Sequence, residues 1–481
     1  MLTLSLLFAN LLLLPTACSA QNGPARSVAW YTGWHSPEFP LSQVSWSKYT
    51  QLTYAFATTT PDVNTLSLAD SDEELLPRFV QTAHENNVTA SLSIGGWGGS
   101  QYFSTHVGSA ANRTAFVKTV TGLVTRYSLD GIDFDWEYPN RQGIGCNTIN
   151  NNDVANFLSF LQELRQDPTG SKLVLSAATS LSPWNDTSGN PSKDLSGFNQ
   201  VLDFIAIMNY DVYNILSSHA GPNSPLNDTC APGSDQAGSA VSSVKAWVDA
   251  GIPANKILLG VAAYGHSFVS SLTEVIQSNS SSVSSSSFTA ATSSSSSSPN
   301  ITNVYPAFNK LAEHLGDAWD SPGGIDMCGN YSPPSGVYNY WGLVDGGYVN
   351  QDGTPKSGVG YTFDECSQTP FVYDITNQTL ISYDNVQSFS LKGEFIKNMG
   401  LGGFSMWEAA GDLNDTLLDS IRLGMSGSGV SSSNQPLSSG SGTPSSASSS
   451  SGASASSTNV GMSAVIVGGI YVSAVTLLLV W

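Results

Sequence analysis

Short apolar runs alternate along the chain with longer segments whose apolar residues recur at helical spacing. Ser27–Trp34, Leu52–Ala57, Val88–Gly95, Gly131–Trp136, Leu173–Ser180, Phe204–Tyr210, Ile257–Tyr264 and Gly402–Trp407 read as strands. Asn112–Tyr127 and Asn156–Arg165 are typical of the helical stretches between them. Val201–Met208 and Lys256–Ala263 are near-continuous apolar runs, the mark of parallel strands covered on both faces. Eight such strand–helix units predict an α/β fold, a (β/α)8 TIM barrel, with its site at the C-terminal ends of the strands. One interval breaks the rhythm, because about Ser267 to Asp384 is too long for a single helix. It holds the Ser-rich tract Ser278–Ser298 and the aromatic stretches Val337–Trp341 and Val359–Phe363. We read it as a small α+β insertion between strands seven and eight, drawn over 267–395.

The fourth strand has an unusual pattern. Asp133, Asp135 and Glu137 fall on one face, and Ile132, Phe134 and Trp136 on the other. The apolar face asks for a helical cover and the acidic face for a polar cavity. Alternate residues stand roughly 7 Å apart along a strand. Carboxylates that close do not all ionise cheaply, so at least one is expected to hold a proton near neutral pH. A Ca²⁺ or Mg²⁺ site built from oxygen ligands is the competing reading of the same triplet.

Composition narrows the partners. The 481 residues are 40% hydrophobic but only 11% charged, with a net charge of −20. Such acidity disfavours nucleic acid and anionic lipid. Many Ser, Thr, Asn, Gly and aromatic residues suit a neutral, hydroxyl-rich ligand. Residues 1–20 read as a signal peptide: Leu4–Leu14 is apolar, Pro15 breaks it, and small residues precede Gln21. The main domain then spans 21–425. Residues 426–458 are Ser, Gly, Ala and Pro, a disordered stalk that cannot build a core. Residues 459–481 end in an uncharged apolar tail with no Lys or Arg after it, the pattern of a GPI-attachment signal. The attachment residue is expected within Ser451–Asn459, and a tail-anchored helix is the alternative. These features predict a secreted, cell-surface protein that touches the membrane through a GPI lipid only.

With Cys18 lost in the signal peptide, Cys146, Cys230, Cys328 and Cys366 remain, an even number suited to disulfides. Four cysteines allow three connectivities, of which Cys146–Cys230 with Cys328–Cys366 is the expected one. Sequons at Asn87, Asn112, Asn185, Asn227, Asn279, Asn300, Asn330, Asn377 and Asn414 predict a glycosylated surface.

The strand ends carry a resemblance. Asp130-Gly-Ile-Asp-Phe-Asp-Trp-Glu-Tyr-Pro139 resembles the signature of the family-18 glycoside hydrolases, the chitinases. Ser93-Ile-Gly-Gly96-Trp97, Met208-Asn-Tyr210-Asp211, Tyr264-Gly265 and Gly402-Gly-Phe-Ser-Met-Trp407-Glu408 resemble that family's third, sixth, seventh and eighth strand motifs. Tyr383-Asp384, Ser388 and Lys392 resemble its lead-in to the last strand. The likeness spans roughly residues 27–425. It implies a chitinase that retains configuration by a substrate-assisted route, without a cofactor. Glu137 is then the general acid, Asp135 holds the 2-acetamido group, Asp133 shares a proton with Asp135, and Tyr210 binds the acetamide oxygen. The same likeness sets Trp407 under the sugar, with Tyr31, Phe56, Gly96, Trp97, Tyr138, Met208 and Asp211 around it. His266 departs from the arginine that many members carry. No His cluster surrounds the acidic ladder, which removes the metal reading. The expected partner is chitin or its oligosaccharides, and the expected state a monomer. An endo-β-N-acetylglucosaminidase acting on glycoproteins and a non-catalytic chitin-binding lectin are the rival functions.

Overall fold

In a computed structural model of the protein, residues 25–271 and 305–427 are described. The signal peptide, the Ser-rich tract, the stalk beyond residue 427, the C-terminal tail, and the sequons Asn279 and Asn300 lie outside them. The eight expected strands are β1 (Arg26–Thr32), β2 (Gln51–Thr59), β3 (Thr89–Gly95), β4 (Gly131–Asp135), β5 (Val174–Thr179), β6 (Phe204–Ile207), β7 (Ile257–Ala262) and β8 (Gly403–Trp407). Each pairs in parallel with the next, and β8 returns to β1, so the sheet closes into a barrel.

The two-faced pattern of the fourth strand explains how it sits. Ile132, Phe134 and Trp136 turn outward and are buried. Phe134 and Trp136 meet Phe157 and Phe160 of helix Asp153–Gln166, and Phe160 in turn stacks on Phe116 of helix Ala110–Tyr127. Each large side chain removed from water there contributes roughly 1.5–3 kcal/mol. The barrel's interior is closed by a separate apolar plug that includes Val28, Trp30, Phe204, Ala206 and Leu258.

Not every strand is followed by an α-helix. Between β1 and β2 there are only 3-10 turns, where buried Leu41, Val44, Trp46 and Tyr49 cover the barrel instead. Between β5 and β6 a single 3-10 turn, Ser196–Gln200, does the same.

The insertion after β7 is a five-stranded antiparallel sheet running from Tyr264–Val269 to Thr379–Ser382. Its limits differ from those drawn at 267 and 395. Helix Val386–Met399 packs on the last helix, Thr416–Ser426, and leads into β8, so it belongs to the barrel's outer layer.

The disulfides correct the expected pairing. Cys146 bonds Cys328 and Cys230 bonds Cys366, with Cα–Cα distances of 5.6 and 5.7 Å. Each bridge joins a loop of the barrel's active face to the insertion. Proximity in the fold, not spacing in the chain, decides a disulfide. Among the described sequons, Asn87, Asn330, Asn377 and Asn414 are exposed, and Asn112, Asn185 and Asn227 are half-buried.

Candidate active site

The parallel register sets Asp133 opposite Ser93 and Asp135 opposite Gly95. Small inward residues on β3 thus leave room for the carboxylates of β4. Asp133 is 2% exposed. Its Oδ2 accepts from the Trp30 indole (3.2 Å) and Ser93 hydroxyl (2.8 Å), and its Oδ1 from the Ser176 hydroxyl (2.6 Å). Burial still raises its pKa against those three donors. Asp135 has a buried Oδ1 with no hydrogen-bond partner among the described residues. Burial first, then the charges of Glu137 and Asp133, push its carboxyl well above the usual range. Burial lifts Glu137 to about 7, with Asp211 adding to the rise and Tyr138 and Arg141 opposing it. Interacting acids of this kind titrate as a set and share protons at neutral pH.

Glu137 is held by its backbone. Its N–H donates to Ser100 Oγ (3.0 Å), while that hydroxyl contacts the Asp135 carbonyl (2.9 Å). The Asn147 amide donates to the Glu137 carbonyl at 2.7 Å. Gly96 has φ +82°, and a Cβ there would stand 2.9 Å from the Phe56 ring. Glycine is the residue that tolerates both demands.

The opposite wall rises from the ends of β6 and β7. Asp211 lies just beyond β6, and its Oδ1 accepts from Tyr264 Oη and His266 Nε2, both at 2.7 Å. Burial works to raise its pKa, but the bonds and charge of His266 and the Tyr264 hydroxyl hold it below the ordinary value. The fully buried Asn223 ties this corner together. Its Oδ1 accepts from the Asp211 N–H and its Nδ2 donates to the Tyr264 carbonyl, each at 2.9 Å. The neighbouring Ser224 hydroxyl donates to the Asn209 carbonyl (2.6 Å) and accepts from buried Lys392 (2.8 Å), whose ammonium also meets both Asp384 oxygens at 2.7 Å.

Aromatic faces line the floor and rim. Trp407 stacks with Phe56 at 5.5 Å between centroids and meets Trp30 edge-on at 5.8 Å. Trp97 is 51% exposed beside Gly96, and Trp34 is 40% exposed and stacked on Phe56. Tyr138 follows Glu137 and carries the Arg141 guanidinium 4.1 Å from its ring centre. Tyr210 and Met208 are half-buried at the end of β6.

The fold therefore gathers Asp133, Asp135, Glu137, Tyr210, Phe56, Gly96, Trp97, Tyr138, Met208, Asp211 and Trp407 at one end of the barrel. Tyr31 does not join them. It is 1% exposed in the outer layer, packed on Tyr54 and Phe79, with its hydroxyl donating to the Phe39 carbonyl at 2.8 Å. Strand alternation turns its neighbour Trp30 inward instead, onto Asp133. Trp30, Trp34, Ser100, Arg141, Asn223 and the His266 contact to Asp211 were not among the expected site residues. Counting alternate positions along β1 would have found Trp30. The others depend on loops meeting, which no local pattern signals.

This site lies within a region that matches a known family. Residues 26–412 match the sequence description of the glycosyl hydrolases family 18, and the chain belongs to that family. A "chitinase-like effector" of Moniliophthora roreri is 49% identical over 424 residues, covering 88% of this chain and 98% of that protein. Mouse chitotriosidase-1 is 27% identical, covering 81% of this chain and 74% of its own. A crystal structure of a chitinase from Rhizomucor miehei superposes with a TM-score of 0.71 at 31% identity, covering 83% of this chain and 100% of that one.

Proposed function

We propose that this protein is a chitinase that hydrolyses β-1,4-N-acetylglucosamine linkages by a retaining, substrate-assisted mechanism. The observation that carries the reading is the pairing of Glu137, held near pKa 7, with Asp135, whose buried Oδ1 has no donor among the described residues. A carboxyl that keeps its proton near neutral pH is suited to general acid work. Glu137 donates that proton to the glycosidic oxygen as the bond to the anomeric carbon breaks. The sugar's own acetamide carbonyl attacks that carbon, giving an oxazolinium ion. Asp135 accepts a hydrogen bond from the acetamide N–H and balances the positive charge. Tyr210 donates to the acetamide oxygen and Trp407 supports the ring. Glu137, now ionised, takes a proton from water, which opens the intermediate with retention.

Two relatives carry the name "chitinase-like effector", which favours a second reading: a chitin binder that does not cleave. Intact Glu137, Asp135 and Asp133 support catalysis over that reading. The apolar leader, Ser-rich stalk and uncharged tail of the sequence support a secreted, GPI-anchored protein of a fungal-type cell wall. Product analysis on chitin oligomers beside a high-mannose glycoprotein tests the function. Early β-anomeric chitin products are expected. Cleavage of the glycoprotein alone would indicate the endo-β-N-acetylglucosaminidase, binding without cleavage the lectin, and α-anomeric products a different mechanism.

A further inference from the structure

One hairpin of the insertion, Gly324–Ile325 paired with Tyr331–Ser332, is fastened at both ends to different walls of the cleft. At its root Asp320 accepts from the Ser335 hydroxyl and from the N–H groups of Gly336 and Val337, both 3.1 Å. Trp319 stacks on His35 at 3.9 Å, and His35 Nδ1 meets Glu408 Oε1 at 2.7 Å. The root therefore rests on the loops after β1 and β8. At the tip, Cys328 is bonded to Cys146 in the loop after β4. Met327 lies beside Gly98, in the loop after β3, where a Cβ would stand 3.2 Å from its sulfur. Those two loops are themselves joined, the Thr148 N–H donating to the Gln101 carbonyl at 2.9 Å. Ser321–Cys328 thus runs between an anchorage on the loops after β1 and β8 and another on the loops after β3 and β4.

We propose that this disulfide-anchored strap selects chain ends. A linear polymer is admitted by threading a terminus beneath the strap, and the middle of a long chain is not laid in from above. The inference rests on the chitin reading of the site and adds how the chain enters. Ile325, Met327 and Tyr331 of this hairpin are 71%, 56% and 70% exposed, and Met327 stands beside Gly98, next in the chain to the exposed Trp97. Such apolar side chains suit pyranose rings passing beneath.

The test uses the full protein carrying Glu137→Gln, so that bound chains stay intact, and follows association by tryptophan fluorescence. Soluble glycol chitin is offered before and after sonication, which multiplies chain ends at constant mass. Threading predicts an association rate that grows in proportion to the ends; a rate independent of them overturns the proposal without touching the chitin reading. Adding Cys146→Ser with Cys328→Ser is expected to raise the rate on long polymer roughly tenfold, within the range that variants of one interface span, and to leave chitotriose unchanged. Equal acceleration of both ligands, or of neither, overturns it. The Cys230→Ser, Cys366→Ser pair should keep the dependence on ends. Absence of chitotriose binding in every form would overturn the chitin reading and this inference together.

Discussion

Glu137 and Asp211 face the same cleft from opposite walls, and their surroundings move their protons in opposite directions. Glu137 is lifted to about 7 by burial, whereas Asp211, with two donors on one oxygen, is held below its ordinary value. On the β4 wall Asp135 is likewise raised, by burial first and then by the charges of Glu137 and Asp133, and its buried Oδ1 has no hydrogen-bond partner among the described residues. The difference lies in the donors each wall supplies, not in the acids themselves. Carboxylates whose environments push their pKa values apart are the ones that divide acid and base work.

The largest expected effect comes from removing the raised acid. Glu137→Gln should lower kcat by about 10²–10⁴-fold while chitotriose affinity, read by calorimetry, stays measurable. Turnover near the native rate would show that the β4 wall does not carry the chemistry.

Asn223→Ala attacks the other wall at its support. Losing a buried amide that serves both Asp211 and Tyr264 should cost about 1–3 kcal/mol, visible in a denaturant midpoint. Asn223→Asp keeps the acceptor for the Asp211 N–H and should recover part of it. Equal loss in both variants would mean that this bond does not hold the corner.

The pH dependence sharpens the contrast. With Glu137 near 7, kcat should fall as pH rises through that value. Because the folded state holds this proton more tightly than the unfolded chain, stability should also decline between about 4.5 and about 7. Glu137→Gln should flatten that slope in thermal melts taken across the window, and an unchanged slope would assign it to another group.

The smallest effect links the two walls. The Asp211 charge helps to raise Glu137, so Asp211→Asn should move the alkaline limb of kcat toward lower pH by a fraction of a unit. A shift toward higher pH would contradict the coupling.

Much of the molecule was legible in the residues. The eight strands announce themselves through apolar runs, and the β4 alternation places three carboxyls inside and three large apolar side chains outside. The inside faces of β3 and β5 are readable too, since Ser93 and Ser176 must be small for Asp133 to fit. Tyr31 was misplaced by family likeness although strand alternation points to Trp30. The two connections that lack helices were also not visible, because buried Leu41 and Trp46 serve the outer layer from turns.

The sequence alone determined the barrel and the acidic ladder, because period-two and helical patterns are local properties. Only the tertiary structure decided that Cys146 meets Cys328, that Asn223 joins Asp211 to Tyr264, and that His266 holds Asp211 down. Those contacts form between loops far apart in the chain, where distance in space is set by the closed barrel and its insertion. The tertiary structure likewise separated Glu137 from Asp211 in proton affinity, since burial and donor count exist only once the walls have met.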